Sequence, residues 1–256
     1  MLSFFKSKKV NTKSEENTKN EEDTKNEEDT KNEEDTKNEE HLQNYKNILF
    51  VATTILESDN PHRIYDLIYS LGKPYQFEVI NMCIKGKPLS RNSAFCIEHL
   101  FFKNGNKHFQ FTKTDETGNF INYTSCKKKT TIHPSDSLIF AFPWKINRLL
   151  DAFNNIGEKV GDKWKQDPLN HRVVLIHPLN IGYVDNGNHS TVMNIINNEA
   201  PMYVTAELNL APIYEELYTD GQYFRRIKDK QEVDKVASVE FAAIFEIGKL
   251  ILRNKV

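Results

Sequence analysis

The stretch RVVLIHPLNIGYVDNGNHST, Arg172 to Thr191, decides how this chain is read. Two apolar runs, Arg172–Ile176 and Ile181–Asp185, flank the turn His177-Pro178-Leu179-Asn180. So short a connection predicts an antiparallel hairpin. Setting Ile181 opposite His177 pairs Val173 with Asp185 and brings His171 beside Gly187, so that His171 and Arg172 flank the mouth of the next turn. His177 then lies six residues from His171, about 20 Å away at about 3.3 Å per residue. One metal ion cannot reach both, which excludes a three-histidine centre on His171, His177 and His189, and no metal is expected. The second run leads into Asp185-Asn186-Gly187-Asn188-His189-Ser190-Thr191, an Asn/Gly-rich turn opening a helix. Such a turn presents unpaired backbone N–H groups and a positive dipole end to an anion, and Gly187 suits a point where something must approach the backbone closely.

The pattern on both sides predicts an α+β protein with a small mixed sheet. Towards the C-terminus, a helix is expected over Thr191–Asn198 with Val192, Ile195 and Ile196 inward. A strand over Met202–Glu207, a tight turn at Asp220-Gly221 and a helix over Val233–Leu252 follow. Towards the N-terminus, Ser137–Ala141 reads as a strand broken by Phe142-Pro143-Trp144, with Trp144 packed at the bend. Asn147–Ile156 reads as a helix burying Leu149, Leu150, Phe153 and Ile156, closed by Gly157. Leu42–Leu71 has helical spacing, interrupted by the cap-like Ser58-Asp59-Asn60-Pro61 and resuming over His62–Ser70. Between residues 75 and 133, short runs such as Phe77-Glu78-Val79-Ile80 and Phe109-Gln110-Phe111 alternate with turn residues, among them Asn104-Gly105-Asn106. They suggest strands or a small insertion.

Residues 17–40 are four hexapeptides, NTKNEE and three copies of DTKNEE. Without an aliphatic or aromatic side chain they cannot offset the entropy of ordering, so residues 1–40 are expected to be a disordered acidic tail with at most transient helix, able to serve a protein partner. The tail carries eight Lys against thirteen Asp and Glu, a net −5; the whole chain carries −2, which leaves +3 on residues 41–256. A body so close to neutral does not track a polyphosphate backbone, so nucleic acid is not an expected partner, and Lys127-Lys128-Lys129 and Arg225-Arg226 read as solvated charge. Met1-Leu2-Ser3-Phe4-Phe5 is too short for a signal peptide and no stretch has the length of a membrane span; a cytoplasmic protein with no membrane association is expected. Cys83, Cys96 and Cys126 lack zinc-site spacing and read as reduced packing residues. The expected division is a tail over 1–40, a helical part with short strands over 41–132, a core over 133–208, and a C-terminal hairpin and helix over 209–256.

The order of elements across 133–208, with Arg148 after the Pro-containing turn, resembles the ParB/sulfiredoxin-like fold, in which an Asp-Gly-x-His-Arg string opens a helix and binds nucleotide phosphates. The run Asp185 to Ser190 matches that string, with Ser190 where the superfamily has Arg. The longer pattern from Phe142 to Ser190 is also similar to an uncharacterised bacterial domain family carrying NGNHS. The resemblance implies a phosphate-bearing ligand, a nucleotide or a nucleotide with Mg. Asn186, Gly187, Asn188, Ser190, Thr191, Arg148, His171 and Arg172 would bind it, and His189 and Asp185 would serve proton transfer or a metal-bound water in a hydrolase or phosphotransfer reaction. Arg148, Arg172 or Lys145 would have to replace the arginine that Ser190 displaces. The competing reading is a non-catalytic interaction module in a bacterial defence or toxin-control setting. Sulfiredoxin chemistry is excluded, because no cysteine follows Cys126.

Overall fold

Four consecutive apolar residues, Val173 to Ile176, are all buried, as expected of a strand covered on both faces. In the computed structural model, which describes residues 15–89, 96–105, 109–126 and 129–256, they lie in the middle of a five-stranded mixed sheet. The elements run α1 (Glu15–Leu56), a 3-10 turn at Pro61–Arg63, α2 (Ile64–Ile84), β1 (Tyr123–Ser125), β2 (Thr131–Ile132), β3 (Ile139–Phe140) and α3 (Ile146–Asn155). There follow β4 (Arg172–His177), β5 (Ile181–Asn186), α4 (Asn188–Asn197), β6 (Met202–Tyr203), β7 (Ala206–Asn209) and α5 (Ala211–Tyr214). The chain closes with β8 (Leu217–Thr219), β9 (Tyr223–Arg226), β10 (Glu232–Lys235) and α6 (Val239–Asn254). The α+β class expected from the sequence is the class observed. The run Met1–Phe5, Asn106 and Lys127-Lys128 lie outside the described residues.

The sheet order is β1-β7-β4-β5-β3, with β4–β5 and β1–β7 antiparallel and β4–β7 and β3–β5 parallel. Val173, Leu175 and Val184 share a cluster with Leu149 of α3 and with Val192 and Ile195 of α4. Tyr183, Phe140 and Phe142 belong to an aromatic network that continues through Tyr75 and Phe241 to Phe101, Phe111 and Phe245. Beyond β3 the buried Gln76 takes the place of a further strand. Its Nε2 donates to the Ala141 carbonyl (3.1 Å) and its Oε1 accepts from the Ala141 N–H (2.8 Å). Backbone groups that would otherwise be buried unpaired are thereby satisfied.

Several expected elements are corrected. Phe77-Glu78-Val79-Ile80 is helical: α2 continues past Ser70 and through Pro74, burying Ile64, Ile68, Gly72, Gln76, Val79, Ile80 and Cys83 along one stripe. Phe109-Gln110-Phe111 is not a strand, and Phe111 is buried among aromatic rings instead. The expected strand Met202–Glu207 is two strands, β6 pairing with β2 and β7 entering the main sheet. The start of the expected C-terminal helix is β10, and the helix begins only after Ser238, whose side chain accepts from the Phe241 N–H. Leu150 and Phe153 do not face the core. They are 52% and 36% exposed, because Leu149 and Ala152 already form the inner face of α3.

By internal contacts the chain divides into Met1–Gln43 and Asn44–Val256, so residues 44–132, 133–208 and 209–256 belong to one unit. Within it Tyr45, Ala52 and Leu56 bury one face of α1; the Tyr45 hydroxyl donates to the Thr219 carbonyl (3.0 Å), and its ring lies where a side chain at Gly221 (φ +95°) would have to be. The acidic repeat falls in the helical span of α1. No helix among the described residues is long and apolar enough to cross a membrane.

Because Tyr45 is the first buried side chain of α1 among the described residues, removal of residues 1–40 should move the melting temperature of the full chain by no more than about a degree. A loss of about 1 kcal/mol would lower it by roughly 2–4 °C in a domain of this size, which a thermal melt followed by circular dichroism distinguishes.

Candidate functional site

The hairpin register is one residue tighter than expected along most of its length, with Ile176 opposite Ile181 and Val173 opposite Val184. A bulge at Asp185 then restores the expected register, and Arg172 faces Asn186. His171 therefore does lie against Gly187: a Cβ there would run into the imidazole ring, and φ is +84°. Glycine at this position makes room for His171. His177, at the opposite end of β4, has its Nε2 3.9 Å from a Glu207 carboxylate oxygen.

α4 begins three residues earlier than expected, so Asn188, His189 and Ser190 form its first turn. Each of the three is held by a side-chain bond to a neighbouring segment. Asn188 is fully buried; its Oδ1 accepts from the Phe142 N–H (2.7 Å), while its Nδ2 has no partner among the described residues. His189 Nε2 accepts from the Lys145 N–H (3.1 Å), and its ring meets Trp144 edge-on at 4.4 Å between centroids. A neutral imidazole accepting at Nε2 carries its proton on Nδ1. Burial pushes the His189 pKa down to about 4, and Arg148 and Lys145 push in the same direction.

His171 is neutral with the opposite tautomer. Its Nδ1 accepts from the Asp167 N–H (2.7 Å), so Nε2 donates to Ser190 Oγ (2.5 Å), and Ser190 in turn donates to the Gly187 carbonyl (3.0 Å). Burial lowers the His171 pKa, with Asp167 partly opposing. The contact resembles a nucleophile–base pair, but the imidazole donates where a base would accept. Ser190 is positioned rather than activated.

The first turn of α4 faces a cleft of ≈ 360 Å³ lined by Trp144, Arg148, Asp151 and Asn155 on one side and by Asn170, Asn186, Gly187, Asn188, His189 and Ser190 on the other. Five of the expected ligand residues, Arg148, Asn186, Gly187, Asn188 and Ser190, are brought together there with His189. Asp185 and Arg172 are not among them. They pair with each other at 3.3 Å, and Asp185 lines a separate depression with Tyr123, Tyr183 and Glu98. Thr191 is fully buried, its Oγ1 without a partner among the described residues, and His171 acts through Ser190. Trp144 lines the cleft instead of simply filling the bend.

Asp151, Asn155 and Asn170 were not foreseen. The spacing of Arg148, Asp151 and Asn155 on one helical face was the available signal. Cys83 is buried, whereas Cys96 and Cys126 are partly exposed, with thiols directed at Glu98 and Glu207. Among the described residues no group of three His, Cys, Asp or Glu side chains is placed to hold a metal ion.

Residues 10–256 match the model of a family of unknown function, DUF6710. The chain belongs to that family. No curated protein and no solved structure matches it. The family match spans the cleft, the aromatic network, the β2–β6 pair and the three-stranded sheet β10-β9-β8, so all of them are parts of one family body.

Two measurements check this geometry. Gly187→Ala should cost about 2 kcal/mol or more in urea unfolding. In a His171→Ala background the ring contact is gone, and the added cost should fall to about 1 kcal/mol of backbone strain. The second concerns pH. Both states of His189 are neutral above pH 6.5; below it the unfolded chain takes up the proton first, so stability falls between pH 6.5 and about 4. The loss is on the order of 3 kcal/mol for such a shift, and the lowered pKa of His171 adds to it in the same direction. His189→Gln should show a flatter decline than the wild type in urea titrations across that range.

Proposed function

We propose that the cleft at the start of α4 binds a phosphate-bearing ligand, a nucleotide by class, on a core of the ParB/sulfiredoxin-like kind. The observation that carries the reading is Arg148 lining one side of the cleft with the start of α4 on the other. A helix start leaves backbone N–H groups unpaired and favours an anion. Arg148 is exposed and has no ion pair among the described residues, so its guanidinium is available to phosphate. It takes the role of the arginine that Ser190 displaces. His189 offers a neutral Nδ1–H donor, and Trp144 an aromatic surface.

The reading stops at binding. Asp185 lies outside the cleft and Ser190 is a hydrogen-bond donor to its own helix turn, so neither supports a hydrolase or phosphotransfer step. The alternative, a protein-interaction module, is favoured by the apolar stripe Ile146, Leu150 and Phe153, exposed at i, i+4 and i+7 on the outer side of α3.

Thermal-shift measurements with inorganic phosphate and nucleoside phosphates separate the two. A ligand bound only by the folded state raises the melting temperature. Arg148→Ala should weaken that response about tenfold or more in apparent Kd, the usual worth of one charge-assisted hydrogen bond, while leaving the ligand-free melting temperature unchanged. No response to any phosphate up to millimolar concentration would abandon this reading in favour of the interaction module.

A further inference from the structure

The charges around the cleft restrict what it can take. Arg148 contributes one positive charge and Asp151, on the same helix and also lining the cleft, one negative charge. The start of α4 adds about half a positive charge. His189 is neutral at any pH well above 4, and the remaining polar lining side chains, Asn155, Asn170, Asn186, Asn188 and Ser190, carry none. Lys145 does not line the cleft, but its charge acts on His189, which does, and adds one positive charge. The sum is about one and a half positive charges, still short of what a nucleoside triphosphate would need. A divalent cation could offset the difference, yet the cleft holds a single carboxylate, at an exposed position. The volume, ≈ 360 Å³, lies near the lower end for ligand sites.

We propose that the cleft selects a singly charged phosphodiester of mononucleotide size, such as a cyclic mononucleotide, and that Asp151 is the residue that sets this selectivity. The inference rests on the phosphate reading above and adds a substrate class to it. Arg148 and the helix start hold the single phosphate charge. Asp151 opposes any further one, and its carboxylate accepts a hydrogen bond from a hydroxyl or amino group of the same ligand. Asn155, Asn170 and Asn186 offer donors and acceptors to uncharged parts of the ligand without adding charge.

The test is isothermal titration of the full chain with the 3′,5′-cyclic monophosphates of the four common ribonucleosides and with the matching triphosphates, with and without Mg²⁺. Inorganic phosphate serves as the base-free control. The wild type should bind at least one cyclic monophosphate about tenfold or more tightly than the matching triphosphate. Asp151→Asn should narrow that ratio to about threefold or less by strengthening the triphosphate, at unchanged thermal stability; these ratios correspond to the modest worth of one exposed charge contact. Triphosphate binding as tight as or tighter than the cyclic form overturns the proposal while the phosphate site stands. If that binding requires Mg²⁺ and is lost in Asp151→Asn, Asp151 is a metal ligand instead. An unchanged ratio in Asp151→Asn removes Asp151 from the selectivity. If neither class binds and inorganic phosphate is also silent, the phosphate site itself falls.

Discussion

The cleft depends on one clamp, the grip of the first turn of α4 on the segment from Phe142 to Lys145. Two adjacent side chains make it: Asn188 takes the N–H of Phe142 and His189 takes that of Lys145. The segment between is where the chain leaves β3 and turns into α3, so these bonds set where α3 begins and where Trp144 and Arg148 stand relative to α4. The clamp is continued by Gln76, which holds the Ala141 backbone one residue earlier. Three side chains from two helices therefore fix a stretch of five residues that has no strand partner beyond β3 among the described residues. Buried amide-to-backbone bonds of this kind are costly to break one at a time, since each leaves a donor or acceptor unpaired.

The same economy explains the two histidines. Both are neutral and buried, and each has its tautomer set by a backbone N–H: Asp167 supplies it to His171 at Nδ1, and Lys145 to His189 at Nε2. One imidazole consequently directs its remaining proton into the protein, onto Ser190, and the other keeps its remaining proton off the clamp. A single hydrogen-bond donor from the main chain decides in each case which ring nitrogen is left to do anything else.

The central hairpin, its antiparallel pairing, the distance between His171 and His177, and the helix opening at the Gly turn were legible because two apolar runs and a short turn leave few alternatives. The asparagine and glycine signals also marked the turn at which α4 begins. Other features were not legible for definite reasons. Pro74 and the β-branched Val79 and Ile80 look like strand and breaker, but packing of a stripe that includes Gly72 and Gln76 outweighs local preference. In α3 the apolar pattern is wider than the buried face, so Leu150 and Phe153 read as inward when Leu149 and Ala152 had already filled that role. Asp185 and Arg172 were placed in the cleft by their nearness to the Gly turn in sequence, although Asp185 falls on the same face of β5 as Tyr183, in the separate depression. Asp151 was legible only as one polar residue among several on a helix.

The bulge at Asp185 has a bearing on how such a site can arise. The extra residue is absorbed just before Asn186 and Gly187, and it changes what stands opposite them. Without it the tighter register of the rest of the hairpin would continue, setting His171 opposite Asn186 and Asn170 opposite Gly187. Substitutions alone cannot make that one-residue shift, whereas an insertion or deletion can. Among relatives of this chain, gain or loss of the His171–Gly187 contact is therefore to be sought in the length of the segment between the hairpin turn and α4, ahead of any change in the residues that line the cleft.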